Sequence, residues 1–218
     1  MSDFQRNYRI DDMVRIDCHD CAGCSSCCRG MGESILLDPY DVRRLTEGLG
    51  KTMEELLEKE LSLTVSYGLI LPHLQMDPGE DHCKFLTVEG TCKIHDFRPG
   101  LCRLFPLGRT YTAEGVRYIL QEGVCEGKNP SKIRIRKWLG EEDCVAYERF
   151  VTDWHELLVR SRERASTLTD EELKLYNMQF VKLFFLTPYQ KDRDFFLQYE
   201  RRKKMFERIA VDKSGAFS

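Results

Sequence analysis

Apolar and polar positions alternate with two different rhythms along the chain. Ile35-Leu36-Leu37 leads into Asp38-Pro39, where Asp38 can cap and Pro39 can fill the first turn of a short helix that stops near Gly48 or Gly50. Thr52 and Glu55 form a capping box for the next helix. Between Leu61 and Gln75 the mixture of Thr, Val, Tyr, Ile and Leu predicts strand, as does Val116 to Leu120. Glu89-Gly90 predicts a turn that presents Cys83 and Cys92 from adjacent short strands. From Trp138 onward the period becomes helical: Tyr147, Phe150, Val151, Trp154, Leu157 and Leu158 share a face behind the acidic start Glu141-Glu142-Asp143. A capping box at Thr169 and Glu172 precedes Leu173, Tyr176, Phe180, Leu183 and Phe184, and a third run holds Phe195, Phe196, Tyr199, Phe206 and Ile209. The expectation is an α+β fold, with an irregular region of short strands and helices over 1–130 and about three helices over 131–218 packed on it as a single compact domain.

Composition sharpens this picture at one point. With 218 residues, 42% of them hydrophobic, the chain can bury a core of its own. Its 33 Lys plus Arg against 36 Asp plus Glu give a net charge of -3, which makes no global case for nucleic acid or membrane as a partner. Ten cysteines are the exception, and all lie between Cys18 and Cys144. The opening Met1 to Asn7 is polar, with no apolar core of a secretory segment, and Phe180 to Leu186 is interrupted by Lys182. A cytoplasmic setting is therefore expected, where clustered thiols favour metal or redox work over disulfides.

The first cluster reads Cys18-His-Asp-Cys21-Ala-Gly-Cys24-Ser-Ser-Cys27-Cys28-Arg29. Thiols at C-x2-C spacing converge on one inorganic centre, and a contiguous run with a remote fourth Cys leans toward an iron–sulfur cluster. Zinc knuckles, the alternative, are usually a dozen or more residues apart. Side chains on neighbouring residues diverge, so Cys27 and Cys28 are expected to serve different metals or to leave one thiol free. Cys83, Cys92, Cys102 and Cys125 form a second group. With Cys21, Cys24, Cys27 and Cys28 they supply thiols for two four-coordinate centres, or for one centre plus structural and reactive thiols. Cys144 is in phase with Tyr147 and Val151 and is expected in the core.

Two motifs carry a family resemblance. Cys21-Ala-Gly-Cys24-Ser-Ser-Cys27-Cys28 matches a CxxCxxCC signature. The run Cys92-Lys-Ile-His-Asp-Phe-Arg98-Pro99-Gly-Leu-Cys102-Arg103-Leu-Phe105-Pro106 resembles its companion C-x-I-Y-x-x-R-P-x-x-C-R-x-[YF]-P. The chain resembles the YkgJ family of cysteine-cluster proteins, described as zinc- or iron-chelating and related to the cysteine module of flagellin lysine N-methylases. The resemblance spans about Cys18 to Gly127 and implies Cys21, Cys24, Cys27, Cys28, Cys83, Cys92, Cys102 and Cys125 as metal ligands. His95 stands where the family usually has Tyr, which implies a partly buried, aromatic-like packing residue and no obligatory histidine ligand, and Glu126-Gly127 replaces a Pro-Gly after Cys125. Cys18 extends the C-x2-C register one step upstream. Arg29, Arg98 and Arg103 are placed either to stabilise a negatively charged cluster or to bond carbonyls at a helix end.

Other chemistry is poorly represented. The chain has no G-x-G-x-x-G dinucleotide loop, no G-x-x-x-x-G-K-[ST] loop, no H-E-x-x-H and no G-x-S-x-G. Arg201-Arg202-Lys203-Lys204 reads as a solvated helix face. The alternation Lys132-Ile-Arg134-Ile-Arg136-Lys137 reads as an exposed edge strand kept soluble by charge, or as a patch for an acidic partner. Three readings follow: a cytoplasmic protein holding an iron–sulfur cluster with a redox or metal-dependent role; an S-adenosylmethionine-dependent protein lysine methylase; and a zinc-stapled interaction module that recruits a protein partner.

Overall fold

The computed structural model describes residues 6–16, 25–121, 123–124 and 131–212, with side chains through Arg208. Its elements in chain order are β1 Asn7–Tyr8, β2 Met13–Ile16, α1 Pro39–Leu49, α2 Met53–Leu57, β3 Leu61–Ser66, β4 Leu69–Leu74, α3 Gly100–Leu104, β5 Leu107–Thr112, β6 Gly115–Leu120, β7 Ser131–Arg134, α4 Ile135–Leu139, α5 Cys144–Ala165, α6 Asp170–Val181 and α7 Phe195–Asp212. Short 3-10 turns at Ser26–Cys28 and His95–Phe97 and a π-helical turn at Lys182–Leu186 complete them. Helices and short antiparallel strands together make the fold α+β, as the sequence predicts. The contacts divide the chain into two units, Met1–Ile35 with Gln75–Asp153, and Leu36–Leu74 with Trp154–Ser218.

In the first unit a three-stranded sheet of order β1-β6-β5 and a two-stranded ribbon of β2 and β7 are both antiparallel. The ribbon alternates in the period-2 manner of a half-buried strand: Val14 and Ile16 are buried, whereas Met13 and Arg15 are exposed. Strand β7 ends at Arg134, where α4 begins, so the alternation Lys132 to Lys137 is strand for only its first half. Leu104, Leu107, Tyr118, Ile135 and Leu139 are buried here, with the start of α5 adding Cys144, Tyr147, Phe150 and Val151. Cys144 is in the core, as its helical phase predicts, and its thiol donates to the Glu141 carbonyl.

The second unit combines the β3–β4 hairpin with α1, α2, the later part of α5, α6 and α7. Asp38, Thr52 and Thr169 each accept from a backbone N–H three residues on, within full capping boxes. The hairpin turn places Tyr67 and Gly68 at φ 56° and 69°, as a two-residue I′ connection requires. A Cβ on Gly68 would lie 2.6 Å from that of Ala165, so glycine is needed there for space as well as for φ. Asn177 on α6 is buried; it accepts from the Ile70 N–H and donates to the Gly68 and Leu173 carbonyls, tying the hairpin to the helix. The expected aromatic core is formed by Trp154, Phe180, Phe184, Tyr199 and Phe206 packed ring on ring, while the side chain of Ile209 lies outside the described residues.

One expectation for this unit is overturned. Arg202, in the run read as a solvated face, is buried and donates to the carbonyls of Leu183, Thr187 and Pro188. Its guanidinium lies 3.5 Å from the centre of the Tyr189 ring. The π-helical turn leaves carbonyls that the helix itself does not satisfy, and a planar fork of donors reaches several of them at once.

Candidate metal centre

The described part of the cysteine cluster begins in a tight turn. Ser25 takes a left-handed φ of 50° before the 3-10 turn Ser26–Cys28, and the Cys28 N–H donates to the Ser25 carbonyl at 2.9 Å. The Cys28 carbonyl in turn accepts from the Cys83 N–H at 2.7 Å. A bridge between Arg29 and His82 and a bond from the Gly30 N–H to Asp81 continue this pairing. Backbone hydrogen bonds thus place the end of the first cysteine group beside the start of the second, across more than fifty residues of chain.

Cys83 is then held from its other side. It bridges Met76, while Asp77 accepts from Gly79 and pairs with Lys84, and these two contacts hold the Asp77 carboxyl below its usual range. The predicted turn is present: Gly90 has φ 77°, and Thr87 and Thr91 bond across it. Lys93 donates to Phe85, and Cys92 bridges Leu86, so Cys83 and Cys92 rise from isolated bridges of a tight loop. Cys102 sits half-buried on α3 between exposed Leu101 and buried Arg103.

The electrostatics show which thiols are neighbours. The sulfurs of Cys27 and Cys28 lie 4.0 Å apart. This reverses the expectation that the pair diverges: each sulfur turns on its own χ1, so the opposed Cα–Cβ directions of adjacent residues do not keep the sulfurs apart. The Cys28 thiol is pushed far above its ordinary value by its contact with Cys27, by burial, and by the negative charge that Cys27, Cys92 and Cys83 would carry. Cys83 is raised to about 11, chiefly by burial and also by Cys92 and Cys27, with the Phe85 backbone N–H opposing the shift. Cys27, Cys28, Cys83 and Cys92 therefore form one electrostatically connected set.

Among the described residues no group of three or more His, Cys, Asp or Glu side chains has, as it stands, the arrangement of a metal site. Cys18, Cys21, Cys24 and Cys125 lie outside the described residues. The β2–β7 register nonetheless pairs Ile16 with Ser131. The chain therefore enters the segment carrying Cys18, Cys21 and Cys24, and leaves the segment carrying Cys125, from directly opposite rungs of one ribbon.

The donor chemistry fits a thiophilic cation. Thiolates that raise one another's pKa are relieved by a positive ion among them. Two thiolates on one tetrahedral metal with bonds near 2.3 Å are about 3.8 Å apart, close to the 4.0 Å of Cys27 and Cys28. The nearby histidines are engaged elsewhere: His82 with Glu80 and the Cys83 carbonyl, His95 with Arg98 and Asp96. His95 is partly buried, and its ring also meets Arg98. Nor is Arg103 free to serve the thiols, because it forms a buried ion pair with Glu141 and lies over the Tyr147 ring. The carboxylate partner is 38 residues away, and no local pattern announces it.

The family model for CxxCxxCC, described as a putative zinc- or iron-chelating domain, matches residues 20–126. Over this stretch the chain is similar to the CxxCxxCC family. The match encloses Cys21, Cys24, Cys27, Cys28, Cys83, Cys92, Cys102 and Cys125, and supports metal binding by the CxxCxxCC domain in the broad sense of that description. Comparison with curated proteins and with solved structures finds no match. No helix among the described residues is long and apolar enough to cross a membrane.

Proposed function

We propose that the CxxCxxCC domain binds a transition metal through cysteine thiolates, and that its occupant is an iron–sulfur cluster with a redox role in the cytoplasm. The observation that carries the metal reading is the convergence of Cys27 and Cys28, whose sulfurs lie 4.0 Å apart, beside Cys83, whose N–H donates to the Cys28 carbonyl. The contiguous C-x2-C-x2-C run from Cys21 to Cys27 favours the cluster. Cys21, Cys24, Cys102 and Cys125 complete the proposed ligands. Such a group would supply one-electron transfer. The chain's own part is to exclude water around Cys83, to aim the Phe85 N–H at its sulfur, and to fix Cys28 and Cys83 by a shared backbone bond.

Zinc is the second reading, favoured by the 4.0 Å separation of Cys27 and Cys28, because the thiolates of a cubane cluster each bind a different iron and stand farther apart than two ligands of one ion. Elemental analysis with a visible spectrum on anaerobically purified protein separates them. Iron with acid-labile sulfide and a broad band near about 400 nm supports the cluster. Stoichiometric zinc in colourless protein supports the second reading, and protein with neither metal overturns both.

A further inference from the structure

The β2–β7 ribbon has an inner face and an outer face, and the outer one is unusual. Register places Arg15 directly opposite Lys132 and Met13 directly opposite Arg134. Val14 and Ile16 take the inner face, so Met13, Arg15, Lys132 and Arg134 share the outer, exposed one. Directly opposite residues of an antiparallel pair have Cβ atoms about 5 Å apart, and like charges there destabilise the pairing. Among the described residues, Arg15, Lys132 and Arg134 have no carboxylate within ion-pair distance, whereas Arg136 is neutralised by Asp11. Solubility alone does not account for this. A charge or two on an edge strand is enough to block unwanted pairing, and here both strands carry charge, at opposed positions.

Two further features narrow what fits. Each strand pairs only with the other among the described residues, so β7 presents an unpaired backbone edge. Lys132 and Arg134 stand two residues apart, about 7 Å along the strand, which is also the spacing of alternate side chains on any other extended chain. A polypeptide strand can match that charge period and pair both the N–H and the C=O groups of the open edge; the phosphates of a nucleic acid or a lipid surface can only accept, and leave the edge carbonyls unpaired. Exposed Met13 adds an apolar contact beside Arg134. We infer that the outer face and free edge of the β2–β7 ribbon dock an extended acidic segment of a partner protein, with carboxylates at alternate positions meeting Lys132, Arg134 and Arg15.

The test uses the full-length, metal-replete protein and a labelled synthetic peptide with glutamate at alternate positions, followed by fluorescence anisotropy at about 50 mM salt and again at about 300 mM. Saturable binding that weakens with salt, and about tenfold or more in the Lys132→Glu/Arg134→Glu variant, is expected. Arg201→Glu/Lys204→Glu, on α7, should bind as the parent does. A second readout does not depend on the peptide: Arg15→Gln should raise the thermal midpoint at low salt by relieving the opposed charges, and the gain should shrink at high salt. The proposal fails if the peptide does not bind or if the Lys132/Arg134 variant binds it unchanged. It also fails if duplex DNA or vesicles of phosphatidylcholine and phosphatidylserine bind more tightly than the peptide, or if Arg15→Gln lowers the midpoint.

Discussion

Replacing Arg103 by Met removes one half of the buried ion pair that joins α3 to the segment ahead of α5. The side chains of Arg103 and Glu141 are 6% and 5% exposed, so the variant leaves a carboxylate in a place that water barely reaches. Breaking a buried pair from one side costs about 3–5 kcal/mol, because the remaining charge loses its buried counter-charge. With a urea dependence of about 2 kcal/mol per molar, the midpoint for this unit should fall by about 2 M. Substituting both partners, Arg103→Met with Glu141→Leu, should recover most of the loss, since a well-packed apolar pair replaces a desolvated ionic one. Trp138 reports on the same unit through its bond to the Leu104 carbonyl, and a Trp154→Phe background leaves it as the only tryptophan. Arg160→Met supplies the comparison: its contact with Glu207, at 50% and 43% exposure, should be worth at most about 1 kcal/mol. The reasoning is refuted if Arg103→Met costs no more than Arg160→Met, or if the double variant is less stable than the single one.

Other outcomes follow from buried polar groups. Asn177→Ala strips partners from the Ile70 N–H and the Gly68 carbonyl and should cost about 1–3 kcal/mol for each buried group left unpaired; faster hydrogen exchange at Ile70 checks it. Burial first, and the Glu148 charge second, raise the Tyr118 hydroxyl above its ordinary value. The native state therefore holds that proton more tightly than the unfolded chain, so stability present below about pH 10 is lost as pH rises past it, and Tyr118→Phe should flatten the loss in urea titrations. Cys144, buried and with its thiol raised by that burial, should be alkylated by iodoacetamide far more slowly in the native protein than in urea, as peptide mapping by mass spectrometry will show.

Legibility in the sequence tracked the range of the interaction. The helix starts at Thr52 and Thr169 could be read because a capping box is complete within four residues, and the start at Asp38 because Pro39 follows the cap directly. The aromatic core could be read because Trp154, Phe180, Phe184, Tyr199 and Phe206 fall on helical spacing. Arg202 was misread because charge in a basic run says nothing of the carbonyls that a π-helical turn frees twenty residues earlier. Strand β7 was read too long because Ile133 and Ile135 keep a period of two across a change to helix.

The site divides along the same line. Spacing and family resemblance named the cysteines, but the backbone bond that brings Cys28 to Cys83 depends on the pairing of Arg29 with His82. The convergence of Cys27 and Cys28 depends on side-chain rotation, which sequence does not encode directly. The opposed charges of Arg15 and Lys132 became visible only with the register of the ribbon.

The most direct test of the metal-centre account is the metal content of anaerobically purified Cys28→Ser beside the parent protein, each assayed for iron, zinc and acid-labile sulfide. Stoichiometric metal in the parent and its loss from the variant is the predicted result, because Cys28 stands beside the Cys27 sulfur and is tied by its backbone to Cys83. A parent free of metal, or a Cys28→Ser protein that keeps its full complement, would contradict the account.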